Sequence, residues 1–246
     1  MRILHVSDLH LRQHLPGSSA VRGRDSRRMP EILDQVVHTG IRLGADLGVL
    51  SGDLVDVPSG TAPDSAEGES AQRDLDIVVS VLGRTPFPWL VVPGNHDLEE
   101  QVLAAFAPQR DLRLGGYRAV AFVDQEEEGH VPRRVGRERA LFECMLGTTG
   151  SCPQIHVQHY VLQPRLDASY PHTYQDGEAL AEAVVSSGRV ALVLSGHYHP
   201  GVPPFRLGDT WFSTAPALCE FPHTAMLYDL EHRELRWRRL EWGQGR

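Results

Sequence analysis

The sequence predicts an α/β fold in which two mixed sheets pack face to face with helices on their outer sides. Three observations lead there. In the first hundred residues, apolar β-type runs alternate with helical patterns, the spacing of βα units. After about Pro203 the runs are almost all β-type, and a chain that alternates first and strings strands together later calls for two sheets. Five polar clusters each stand directly behind an apolar run, and strand ends are where α/β folds assemble their sites.

The elements follow in order. Ile3 to Val6 is the first strand and ends in SDLH. A polar, arginine-rich loop precedes a helix from about Glu31 to Leu43, with Pro30 suited to its first turn. Leu47 to Leu50 is the next strand and ends in SGD. Residues 57–70, rich in Gly, Ser, Pro and acids, read as a mobile loop before a helix at about Ala71 to Leu82. Trp89 to Val92 leads into PGNHD, and Leu98 to Ala107 reads as a short helix. Arg118 to Val123 is a strand, and the acidic DQEEEG followed by PRRVGRER reads as salt-bridged surface before a helix near Glu138 to Leu146. Ile155 to Gln158 is a strand ending at His159; Asp176 to Ser187 is an amphipathic helix; Val190 to Leu194 is a strand ending in SGHYH. Runs at Phe205 to Leu207, Trp211 to Ser213, Ala225 to Leu230 and Leu235 to Leu240 complete the β-rich end. With no internal repeat and no linker-like segment, residues 1–246 read as a single domain.

Composition narrows the function. A formal charge of −8 argues against a protein held to nucleic acid mainly through phosphate contacts, so nucleic acid is not the favoured partner. No apolar run approaches the ~20 residues of a membrane helix, and MRILHVSDLHL is too short and polar for a signal peptide. Cys144, Cys152 and Cys219 form no CxxC pair, so free thiols in the cytoplasm are expected. A monomer and a homodimer both suit the chain.

The clusters are Asp8-Leu9-His10, Gly52-Asp53, Gly94-Asn95-His96-Asp97, His159 and Gly196-His197-Tyr198-His199. In extended backbone, residues two apart point the same way, so Asp8 with His10, and His197 with His199, are expected to grip ions as pairs. The preceding glycines permit sharp turns that bring a ligand close. Oxygen and imidazole donors without thiolate suit Mn, Fe, Zn or Co and argue against a structural cysteine-type zinc site. Seven ligands are too many for one tetrahedral ion but suit two ions that share a carboxylate. Such a pair carries net positive charge, favours an anionic phosphate, and generates hydroxide near neutral pH.

The ordered set DxH, GD, GNHD, H and GHxH, spanning residues 8 to 199, resembles the calcineurin-like metallophosphoesterase superfamily. The resemblance implies a four-layer αββα sandwich and two transition-metal ions, divalent or mixed-valence. It assigns Asp8, His10 and His199 to one ion, Asn95, His159 and His197 to the other, and Asp53 to both. It also implies that His96 contacts the scissile phosphate and assists the leaving oxygen, with Asn95 beside it, and that Asp97 orients the His96 imidazole. Many relatives carry a second histidine where Tyr160 stands; His156 competes with His159 for the ligand role but lies an odd number of residues away, on the other strand face.

Protein Ser/Thr phosphatases carry an arginine soon after GD and a GNHE, unlike GDLVDVPSG and GNHD here. LSGHYHPG and WFSTAPALCEF resemble bacterial class III cyclic-nucleotide phosphodiesterases. The expected activity is therefore hydrolysis of a cyclic nucleotide or related small phosphodiester by a metal-bridging hydroxide. A nuclease or nucleotide phosphomonoesterase is the alternative, and a non-enzymatic scaffold is disfavoured because every ligand is kept. Arg22 and Arg24 are the candidate phosphate contacts in the loop after the first motif, although a solvated loop is the commoner role for any single arginine. His223 is a site candidate if its loop reaches the ligands.

Overall fold

A computed structural model describes residues 1–106, 110–148, 150, 152–166 and 172–243. The chain opens with β1 (Arg2–Val6), α1 (Met29–Leu43), β2 (Leu47–Ser51), α2 (Ala66–Leu82), β3 (Trp89–Val92) and α3 (Glu99–Phe106). The middle holds β4 (Asp111–Leu114), β5 (Tyr117–Ala121), β6 (Gln125–Glu127), β7 (Val131–Arg133), α4 (Gly136–Gly147), β8 (Gln154–Val157) and α5 (Gly177–Ser186). It closes with β9 (Val190–Ser195), β10 (Val202–Leu207), β11 (Thr210–Thr214), β12 (Thr224–Glu231) and β13 (Glu234–Glu241). The predicted Ala107 end of the α3 helix lies outside the described residues.

One sheet runs β13-β12-β1-β2-β3, parallel from β1 to the β3 edge and antiparallel at the other side, and the second runs β10-β11-β9-β8-β5-β4, parallel in the centre with both edges antiparallel. The alternation along β1 sorts the layers. Ile3 joins Val49 and Leu90 against Ala119, Ile155 and Leu192 of the second sheet. Leu4 and Val6 face the other way, onto Ile32 and Val36 of α1 and Val78 of α2. Beyond the second sheet, Val120 and Val193 pack on Phe142 of α4 and Val184 of α5. These contacts are the αββα layering, and strands such as β2 and β9 are apolar throughout because both their faces are covered.

Four elements depart from the sequence expectation: α2, β4, and the paired β6 and β7, which stand where a salt-bridged surface stretch was expected. α2 begins at Ala66 rather than near Ala71: Ser65 caps it by accepting the Gly68 N–H at 3.1 Å, and Glu67 and Glu69 lie in the first turn, where the helix dipole favours acids. The loop is shorter than its Gly/Ser/Pro composition suggested. β4 was not anticipated; it pairs with β5 across Gly115-Gly116, both at positive φ, a hairpin signal that the Gly-Gly pair already carried.

Two buried histidines off the motifs bond within their own sheets. His5 Nε2 lies 2.8 Å from Ser51 Oγ, and His156 Nε2 lies 2.8 Å from Gln154 Oε1. Burial lowers both to about 3, with the Arg134 charge adding to the effect on His156. A lowered imidazole contributes stability that is present above the unfolded pKa of ~6.5 and lost as pH falls toward the folded value. The stability penalty of His156→Gln is therefore expected to shrink by about 2 kcal/mol between pH 7 and pH 5, in urea titrations of metal-free protein. An identical penalty at both pH values would mean that His156 titrates freely in the folded state.

Candidate metal centre

The C-terminal ends of β1, β2, β3, β8 and β9 meet along one edge of the sandwich. The first sheet delivers Asp8, His10, Asp53 and Asn95; the second delivers His159, His197 and His199. Backbone bonds fix the loops to one another: Asp8 N–H donates to Gly52 O at 3.0 Å, His10 N–H to Asp53 O at 2.9 Å, and Gly196 N–H to His159 O at 2.8 Å.

The geometry that converges these side chains is not the extended one expected. β1 has ended at Val6, and Asp8, His10, Asp53 and His197 all adopt positive φ, a conformation unfavourable for residues with a Cβ and concentrated at functional sites. The adjacent glycines leave the room required. A Cβ at Gly52 would overlap the His159 ring, one at Gly94 the Asp53 carboxylate, and one at Gly196 the Ser7 hydroxyl.

Each carboxylate divides its oxygens between the fold and the site. Asp8 Oδ2 accepts the His197 N–H at 3.0 Å, while Oδ1 is buried without a hydrogen-bond donor and lies 3.9 Å from His10 Nε2 and 3.6 Å from His199 Nε2. Asp53 Oδ1 accepts the His96 N–H at 2.8 Å, leaving Oδ2 at 3.4 Å from His10 Nε2 and 3.5 Å from His159 Nε2. Asp53 Oδ2 thus stands between two clusters. One is Asp8, His10 and His199, with the two imidazole Nε2 atoms 3.3 Å apart. The other is Asn95, His159 and His197, where His159 Nε2 lies 3.1 Å from both Asn95 Oδ1 and His197 Nδ1.

These separations suit metal ligands, because bonds of ~2.1 Å at right or tetrahedral angles put neighbouring donors ~3.0–3.4 Å apart. The outer nitrogens are occupied, which turns the inner lone pairs toward the centre: His159 Nδ1–H donates to Ser51 O at 2.7 Å, and His199 Nδ1 lies 2.6 Å from Glu220 Oε1. The residues fit two ions sharing Asp53. Burial opposes charge on Asp53, yet the facing imidazoles of His159 and His10 hold it well below the usual carboxylate range.

His96 borders the centre, its ring edge-on to His10 at 4.7 Å. The carboxylate that faces its imidazole is Asp56, not Asp97. Asp56 Oδ1 lies 3.1 Å from His96 Nδ1 and 3.5 Å from His10 Nδ1. Asp97 instead accepts three backbone N–H groups, from Leu54 at 3.1 Å, Val55 at 2.9 Å and Gly94 at 2.8 Å, and so staples the second motif to the third. The resemblance implied Asp97 for that role, but its oxygens are consumed by the amides that hold the loop. Burial and the neighbouring Asp53 charge push Asp97 up to about 7 despite those donors. Burial also opposes charge on Asp56 and on His96, but His10 and His96 together hold Asp56 well below the carboxylate range, and Asp56 with Asp53 holds His96 above its ordinary value.

The candidate arginines separate. Arg24 lines the cavity, with Nη1 3.3 Å from both His10 Nδ1 and Asp56 Oδ1. Its backbone pairs with Glu220, which pins it there. Arg22, two residues earlier on the exposed part of the loop, does not line the cavity. His223 does not reach the ligands; its Nδ1–H donates to Leu218 O and its Nε2 faces Asp25. His156 points away from the centre, and Tyr160 packs edge-on against His159 at 5.0 Å and His197 at 4.8 Å. Asp56 and Glu220 were missed in the sequence, although a second acid one short turn beyond Asp53 and the acid in ALCEF were there to be weighed.

The centre opens into a cavity of about 370 Å³ whose lining also includes Glu126, His130 and His172, the last with its ring 5.9 Å from that of His197. Glu126 was not singled out from the sequence, and His130 and His172, which stand outside the motifs, read there as structural or surface histidines.

A sandwich of this layering, with a paired ligand cluster at its strand ends, is the architecture of a dinuclear phosphoesterase. The chain belongs to the calcineurin-like phosphoesterase family, whose model matches residues 1–201. A probable cyclic nucleotide phosphodiesterase of Psychrobacter arcticus is 22% identical over 241 residues, covering 89% of this chain and 80% of that protein. A dimetal phosphatase from Danio rerio superposes with a TM-score of 0.73 at 16% identity, covering 98% of this chain and 99% of that one. The purple acid phosphatase PPD1 from yellow lupin seeds gives 0.63 at 12% identity, over 99% of this chain and 52% of that one. Among the described residues, no helix is long and apolar enough to cross a membrane.

Proposed function

We propose that this protein hydrolyses a phosphodiester, with a cyclic nucleotide as the favoured substrate. The observation that carries the phosphoesterase part of the reading is the position of Asp53 Oδ2 between two imidazole clusters, and the diester part rests on the Psychrobacter relative. Asp8, His10, Asp53 and His199 would hold one ion, and Asp53, Asn95, His159 and His197 the other. Oxygen and imidazole donors suit Mn, Fe, Zn or Co. The ions, when bound, supply charge neutralisation on the phosphate and a nucleophile at neutral pH.

The chain's own residues supply the rest. Asp56 holds the His96 imidazole by Nδ1, so that Nε2 is left to hand a proton to the departing oxygen. Arg24, at the cavity wall beside His10, is placed to pair with a non-bridging phosphate oxygen. Asp97 maintains the loop that presents Asn95 and His96. Asp56→Asn is expected to lower kcat by about 10–100-fold with a smaller change in KM, the usual cost of disturbing a group behind the reacting residues. Unchanged kcat would detach Asp56 from the chemistry.

The Psychrobacter relative supports the diester reading, and the cavity has the size of sites for small ligands. A phosphomonoesterase is the second reading, favoured by the superposition on a dimetal phosphatase. The three unpaired cysteines support a reducing, cytoplasmic setting. The deciding assay compares bis(p-nitrophenyl) phosphate with p-nitrophenyl phosphate on Mn²⁺-reconstituted protein. Preference for the diester supports the proposal; preference for the monoester replaces it with the second reading.

A further inference from the structure

The cavity wall formed by the β6–β7 hairpin has no part in the hydrolysis described above, yet it is firmly built. Asp124 and Arg134 flank the hairpin and close its base with a bidentate ion pair, 2.8 Å on each arm, both side chains fully buried. Arg134 also donates to Gln158 Oε1 at 2.9 Å and lies over the Phe122 ring at 4.3 Å, and the Tyr174 hydroxyl donates to Asp124 at 2.5 Å. The hairpin carries Glu126 into the cavity, where His130 Nδ1 lies 3.2 Å from its Oε2 and where burial, together with the Glu126 charge, raises the pKa of the nearby Tyr160 hydroxyl.

The cavity is therefore polarised. Arg24 stands beside His10, over one candidate cluster; Glu126 lies on the side of Tyr160, whose ring packs on His159 and His197 of the other. A carboxylate in a phosphate cavity repels the substrate unless some other part of that substrate donates to it. A carboxylate offers about four acceptor positions, and two neighbours leave some of them open.

We propose that Glu126 recognises an amino or ammonium donor on the organic portion of the phosphoester. The inference rests on the phosphoesterase reading of the same cavity. Two sources share that chemistry, the exocyclic amine of a nucleobase and the amine of an amino-alcohol ester.

The test measures kcat/KM on matched pairs for wild type and Glu126→Gln. One pair is adenosine 3′,5′-cyclic phosphate against purine riboside 3′,5′-cyclic phosphate; the other is glycerophosphoethanolamine against its N-acetyl form. Wild type is expected to favour the amine member of one pair by about 10–100-fold, the strength of a hydrogen bond to a charged group. The variant should lose that preference while hydrolysing bis(p-nitrophenyl) phosphate within about 2-fold of wild type, because that ester makes no such bond. The pair that responds identifies the source. Absence of preference in both pairs, or a preference that survives in the variant, overturns the proposal. If generic diesters are not hydrolysed at all, the phosphodiesterase reading fails separately. Glu126 is then tested by competition of AMP against purine riboside 5′-phosphate for p-nitrophenyl phosphate turnover, equal inhibition constants being the negative result.

Discussion

Asp53→Asn is expected to reduce turnover by at least about 10³-fold, since changes one layer further out already cost 10–100-fold. The reason lies in the division of its oxygens. The amide can keep Oδ1 on the His96 N–H, but it then turns an NH₂ group, with no lone pair to offer, toward His10 and His159. Calorimetric titration with Mn²⁺ should show uptake falling to at most one ion per chain, while circular dichroism stays that of wild type. Wild-type turnover in the variant would remove Asp53 from the centre.

Arg134→Met is expected to destabilise the fold by about 3–5 kcal/mol, because it leaves the Asp124 carboxylate buried and without its partner. Urea unfolding measures the loss. Adding Asp124→Leu should recover much of it, since the apolar pair leaves no uncompensated charge. A loss under about 1 kcal/mol for the single variant would be the value of an exposed pair and would contradict the burial of this one.

Much of the fold, and most of the candidate ligands that it brings together, were legible because burial writes itself into the sequence. Strands covered on both faces must be apolar, so runs such as LGVLS and VALVLS stand out, and polar groups directly behind them have only the sheet edge to occupy. What the sequence did not show was which carboxylate faces His96 and which arginine is buried. Asp97 neighbours His96 in the chain, yet its oxygens serve backbone amides, and Asp56 from another loop faces the ring. Arg133 behaves as the surface ion pair its composition suggests, bridging to Glu127, whereas Arg134 beside it is fully buried. Composition cannot distinguish two adjacent arginines; only the fit of one between Asp124 and the Phe122 ring does. The positive φ values at Asp8, His10 and Asp53 were equally hidden, since nothing local to those residues favours them.

The most direct measurement is titration of metal-free protein with Mn²⁺, following bound ions by calorimetry and hydrolysis of bis(p-nitrophenyl) phosphate in the same samples. Two clusters sharing Asp53 predict two ions per chain, with activity appearing as the second binds. Full activity at one ion per chain, or activity independent of added metal after chelation, would contradict a dinuclear centre.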